Sequence, residues 1–112
     1  MPWAFFDGAS QGDPPLGGAG AVIFFTSNRK KMIEYAMGQA SNNEAELTAL
    51  WATLKVARSS HIQDIQIFGD SKVVVDWANE KNTIRAPHLQ HLLAEIQTLK
   101  TYFKRISFGH IY

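Results

Sequence analysis

The sequence predicts an α/β domain in which helices pack on a mixed β-sheet. Three observations carry this. Three strand-like segments follow one another early in the chain, and helical and strand patterns alternate after them. The chain has 112 residues, 46% of them apolar, which suffices for one core. It contains no cysteine, so neither a disulfide framework nor a thiolate metal site holds it together.

Trp3 to Asp7 reads as a short strand, closed by a dense run of turn formers through Pro15. Ala19 to Phe25 reads as a buried strand, and Lys31 to Met37 as its hairpin partner across the turn that begins at Thr26. Ser41-Asn-Asn-Glu44 has the form of a capping box and opens a helix. Leu47, Leu50, Trp51 and Leu54 mark one face of that helix. Ile65 to Gly69 alternates as a strand. Lys72 to Trp77 fits a helix or a strand, because its three consecutive valines favour strand. Pro87 opens a further helix with Leu89, Leu92, Leu93, Ile96 and Leu99 on one side. Arg105 to Ile111 is a closing strand.

Composition removes several function classes. The net charge of +1 argues against binding nucleic acid through a broad basic surface. No apolar run is long enough to span a bilayer, and the N-terminus lacks a basic signal-peptide region, which favours an intracellular setting. Phosphate-binding glycine loops, H-E-x-x-H and G-x-S-x-G are absent. His88 and His91 read more simply as a solvated helix flank than as metal ligands.

Three carboxylates stand out. Asp7 and Asp70 each follow an apolar strand, and parallel neighbouring strands would bring both to one edge of the sheet. Each also fits a turn or helix cap. Glu46 borders the buried stripe of the first helix and faces Leu50, not a cation, at i+4. It fits either a functional site or simple stabilisation by the helix dipole. Converging carboxylates repel one another unless a cation intervenes, and all-oxygen ligation suits Mg²⁺ or Mn²⁺.

Phe6-Asp-Gly-Ala-Ser10, Ser41-Asn-Asn-Glu-Ala-Glu-Leu47, Gly69-Asp-Ser-Lys72 and Gly109-His-Ile-Tyr112 resemble the four successive motifs of type 1 ribonuclease H domains. The likeness is to the reverse-transcriptase-like group found in plant retroelements, and it covers nearly the whole chain. It implies a single ribonuclease H-like domain over 1–112. The implied sheet has five strands, the first three antiparallel and the rest added in parallel, with helices on both faces. It also resolves Lys72 to Trp77 as helix. By the same resemblance, Asp7 would bridge two Mg²⁺ ions, with Glu46 and Asp70 completing one site and Mn²⁺ as a substitute. His110 matches a mobile histidine that assists water supply or product release; an ordinary strand-end histidine is the plainer reading. Gly8, Ser41, Asn42 and Asn43 match positions that contact nucleic acid.

The implied activity is hydrolysis of the RNA strand of RNA–DNA hybrids, leaving 5′-phosphate and 3′-hydroxyl ends. The implied protein is a monomer with no membrane partner. Two departures bear on it. Asp13 stands where the family more often has an amide facing the minor groove. The family also places a fourth carboxylate about ten residues beyond the motif histidine, on a final helix, and this sequence ends at Tyr112. There is no basic loop like the hybrid-gripping handle of the bacterial enzymes. Only Lys72, Lys81 and Arg85 lie in that region, with Trp77 as a stacking face or, more simply, a core residue. The competing expectations are a catalytically impaired hybrid-binding module or retroelement relic, and a protein-interaction domain.

Overall fold

The computed structural model describes residues 1–111, so Tyr112 of the fourth motif lies outside the described residues. The elements run β1 (Trp3–Gln11), β2 (Leu16–Phe24), β3 (Lys30–Gln39), α1 (Asn42–Ser59), β4 (Asp64–Gly69), α2 (Lys72–Ala78), α3 (Pro87–Lys100) and β5 (Arg105–His110). They form one five-stranded sheet in the order β3-β2-β1-β4-β5. The first three strands are antiparallel, and β4 and β5 are added in parallel.

Alternation decides which side chains enter the core. Ala4 and Phe6 of β1, Ile23 of β2, Ile65 and Ile67 of β4 and Phe108 of β5 are all buried. Leu47, Leu50 and Leu54 of α1, none of them exposed, pack against these residues. Each such leucine contributes roughly 1.5–3 kcal/mol by leaving water. Helix α3 adds Leu89, Ile96 and Leu99 to the same core.

The three helices touch one another and share this face. Here the structure departs from the expected helices on both faces, among the described residues. The opposite face is apolar but uncovered. Trp3 stacks on Phe24 with ring centroids 4.4 Å apart and meets Phe68 edge-on at 6.2 Å, and Trp3 remains 39% exposed.

Two local readings change as well. Strand β1 does not stop at Asp7 but continues to Gln11, and β2 starts at Leu16. The turn formers after Asp7 are drawn into the sheet because Asp7, Ala9 and Ser10 pair with Gly20, Gly18 and Gly17. Glycines weaken an isolated strand yet allow this close pairing. Lys72 to Ala78 is helical, as the resemblance implied. Val74 and Val75 are buried against the core and Ser71 caps the helix through its hydroxyl, so packing overrides the β preference of the valines.

Ser41 caps α1, its hydroxyl accepting from the Glu44 N–H at 3.1 Å. Only this half of the expected box is among the hydrogen bonds of the described residues. Glu44 lines a groove with Tyr35, Gln39 and Thr48. Replacing Ser41 with alanine is expected to cost about 1 kcal/mol of stability in a denaturant titration.

Candidate metal centre

Three elements converge on one point. Strands β1 and β4 run in parallel with Phe6 opposite Gly69, which places Asp7 and Asp70 in successive register. Asp70 follows the last residue of β4, at the mouth of the turn into α2. Glu46 comes from the second turn of α1, which packs over β1.

Gly8 makes the third approach possible. A Cβ at Gly8 would collide with the backbone of Ala45 and Glu46. The missing side chain lets α1 sit directly on β1 and brings the Glu46 carboxyl beside Asp7. Gly69 has a similar role one strand away, where a Cβ would meet the Phe6 ring.

The result is a cluster of carboxylate oxygens from Asp7, Glu46 and Asp70, all within 4.8 Å of one another. Asp7 and Asp70 are exposed, whereas Glu46 is 7% exposed. The Glu46 carboxyl is in hydrogen-bond contact with Asp7 and accepts from the Gly8 N–H. Its Oε2 atom, however, is buried without any hydrogen-bond partner. A buried acceptor left unpaired is costly unless something outside the chain satisfies it.

Burial pushes the Glu46 carboxyl from its ordinary 4.5 up to about 8. The hydrogen bond with Asp7 and the charges of Asp7 and Asp70 add to the rise, and the Gly8 N–H opposes it. The consequence for stability has a definite sign. The folded protein keeps a proton that the unfolded chain releases near 4.5, so this stabilisation is full below that pH and is lost as pH rises toward 8. In the presence of a chelator, the melting temperature should fall between pH 5 and pH 8, and Glu46→Gln should remove most of that fall. Parallel profiles for the two proteins would contradict this.

His110 ends β5 opposite Gly69, and its Nε2 lies 3.0 Å from the Asp70 carbonyl oxygen. Ser41, Asn42 and Asn43 are exposed at the start of α1. Trp77 is buried, in keeping with a core role, and His88 and His91 are exposed. Neither histidine joins a ligand group among the described residues. One participant escaped the sequence reading. The Oδ1 of Asn42 accepts from the Ser10 N–H at 2.7 Å and from the Ser10 hydroxyl at 3.2 Å, tying α1 to β1.

The chain resembles known proteins in sequence and in fold. Residues 5–112 match the family described as reverse transcriptase-like. The chain is 33% identical over 104 residues to a bifunctional protein of Mycobacterium tuberculosis, covering 91% of this chain and 29% of that protein. It is 32% identical over 111 residues to ribonuclease HI of Halobacterium salinarum, covering 96% of this chain and 55% of the relative. The chain therefore spans only part of these relatives.

Among solved structures, RNase H1 of Halobacterium salinarum superposes with a TM-score of 0.90 at 31% identity. That match covers 98% of this chain and 84% of the other. The N-terminal RNase H domain of the Mycobacterium tuberculosis protein gives 0.88 at 31% identity, covering 99% and 86%. LC11-RNase H1, solved in complex with an RNA/DNA hybrid, shares the fold at a TM-score of 0.88 and 22% identity, covering 99% of this chain and 85% of the other. With the family match over nearly its whole length and these folds beside it, the chain belongs to the reverse transcriptase-like family of ribonuclease H domains.

Proposed function

We propose that the domain hydrolyses the RNA strand of RNA–DNA hybrids with divalent cations held by Asp7, Glu46 and Asp70. The observation that carries this reading is the unpaired, buried Oε2 of Glu46 within a trio of carboxylate oxygens. A hard cation would satisfy that acceptor, relieve the mutual repulsion and displace the proton that burial holds on Glu46. The donor set is all oxygen, which fits Mg²⁺ or Mn²⁺.

Bound there, the ions would supply hydroxide for attack on a phosphodiester and neutralise the leaving oxygen. The chain's own part is positional. Asp7, on β1, is in hydrogen-bond contact with Glu46 and would hold the ions together with Glu46 and Asp70. His110, anchored on the Asp70 carbonyl, stands where it can serve water or product at the edge of the site. Gly8, Ser41, Asn42 and Asn43 line the approach from β1 and α1. Short polar groups of this kind suit the wide, shallow minor groove of a hybrid, with its 2′-hydroxyls.

The test is incubation of the protein with a hybrid labelled on its RNA strand. Cleavage in Mg²⁺ or Mn²⁺ that stops with EDTA is the expected result, and cleavage indifferent to EDTA would refute the metal assignment. A second reading is a hybrid-binding module without turnover. Hybrid binding with no cleavage even in Mn²⁺ would favour it.

A further inference from the structure

We propose that Ser10 is a positioning residue for recognition of the hybrid: it fixes the Asn42 amide so that position 42 reads hydrogen-bond acceptors only. The inference rests on the hybrid-binding reading above and adds the polarity of one contact to it.

A side-chain amide has two ends that differ in chemistry, one accepting and one donating. Which end faces a given neighbour is settled by the neighbour's own hydrogen-bonding character. At Asn42 the neighbour is the Ser10 backbone N–H, which can only donate, at 2.7 Å. The atom that meets it must therefore be Oδ1. The Ser10 hydroxyl, at 3.2 Å from the same oxygen, donates to its second lone pair. Both acceptor positions of the amide are then occupied within the protein.

What is left is the Nδ2 group, with two donor hydrogens and no partner among the hydrogen bonds of the described residues. Asn42 is exposed at the first position of α1, directly after the Ser41 cap and four residues before Glu46. The backbone N–H groups of a first helical turn also point outward as donors. Position 42 thus offers donors alone. Every base pair carries an acceptor in the minor groove, the purine N3 or the pyrimidine O2, and the 2′-hydroxyl oxygen accepts as well. A donor held in one orientation can meet these groups whatever the sequence. A freely rotating amide would present its oxygen about as readily and would lose part of its binding to ordering.

The arrangement also explains why Ser10 is drawn into β1. Its N–H is directed to a helix side chain, while its residue pairs with Gly17 of β2. The same contact couples recognition to the carboxylate cluster, since it ties β1 three residues beyond Asp7 to the start of the helix that carries Glu46.

Three variants, followed by hybrid binding, NMR and melting temperature, test this. Hybrid binding is measured by fluorescence anisotropy at low salt in EDTA, and the Asn42 side-chain NH₂ signals are followed by NMR in the free protein. Ser10→Ala keeps the backbone N–H contact and removes the hydroxyl one, and the less firmly held amide should bind hybrid about threefold more weakly. This variant should also shift the Asn42 NH₂ signals from their wild-type positions, and Ser10→Thr should restore both. Asn42→Asp keeps an acceptor toward Ser10 but turns an anionic oxygen outward. It should bind hybrid at least about tenfold more weakly with an unchanged melting temperature. Wild-type binding by Ser10→Ala or by Asn42→Asp, with the wild-type protein itself binding hybrid, overturns this inference alone. Absence of hybrid binding by the wild-type protein overturns the hybrid reading and this inference with it.

Discussion

Asp7→Asn should abolish metal-dependent cleavage of a labelled hybrid, lowering the rate by at least about a thousandfold. The size of the effect follows from the place of Asp7 in the cluster. One of its oxygens lies within 4.8 Å of an oxygen of Glu46 and of one of Asp70, so any ion shared among the three depends on it. Asparagine offers one neutral oxygen in place of a charged pair, which weakens attraction to a hard cation without changing shape. Electrostatic stabilisation of developing charge is usually the largest part of such catalysis. The fold should survive, because Asp7 is exposed and its loss removes repulsion around Glu46. Melting in EDTA at pH 8 should therefore show the variant equal to the wild type or more stable. A variant that still cleaves at the wild-type rate would remove Asp7 from the site.

The second large effect is expected at Gly8. A methyl group there would collide with the Ala45 and Glu46 backbone, which is a rigid part of α1 and not the end of a flexible chain. Gly8→Ala must push α1 away from β1 or distort the strand, and overpacking of this kind costs about 1–3 kcal/mol or more. The displacement falls on the element that holds Glu46. Activity should drop further than stability, because a shift of about 1 Å at a catalytic group can cost a hundredfold in rate. Circular dichroism melting together with the hybrid assay checks both. Unchanged melting and unchanged cleavage would mean that α1 does not seat on β1 as described.

These two residues show how differently parts of the site could be read from sequence. Asp7, Asp70 and Glu46 were legible because each breaks a local pattern: two acids after apolar strands, and one acid at the margin of a buried helical stripe with no local partner. Their convergence follows once β1 and β4 are parallel neighbours. The role of Gly8 in seating α1 was not legible, since nothing local in the sequence marks where a helix thirty-odd positions later will touch the strand. Ser10 and Asn42 pose the same difficulty, being 32 positions apart and joined only by the fold.

The number of strands and their directions, three antiparallel and two added in parallel, agreed with the expectation, but the coverage of the sheet did not. Trp3, Phe24 and Phe68 form an open face among the described residues, because all three helices take the other side. The three valines of α2 show the converse. Local preference pointed to strand, and burial of Val74 and Val75 against the core decided for helix.

The central claim is that the trio is a divalent-cation site, and calorimetry of Mn²⁺ binding at pH 7 tests it most directly. With the Glu46 carboxyl held near 8, the folded protein carries a proton that must leave when the ion enters. Titration in two buffers of different ionisation enthalpy should show nearly one proton released for the first ion bound. The release should vanish in Glu46→Gln, and binding should be lost in Asp7→Asn. Binding of Mn²⁺ by Asp7→Asn with wild-type affinity, or no binding by the wild-type protein, would contradict the account.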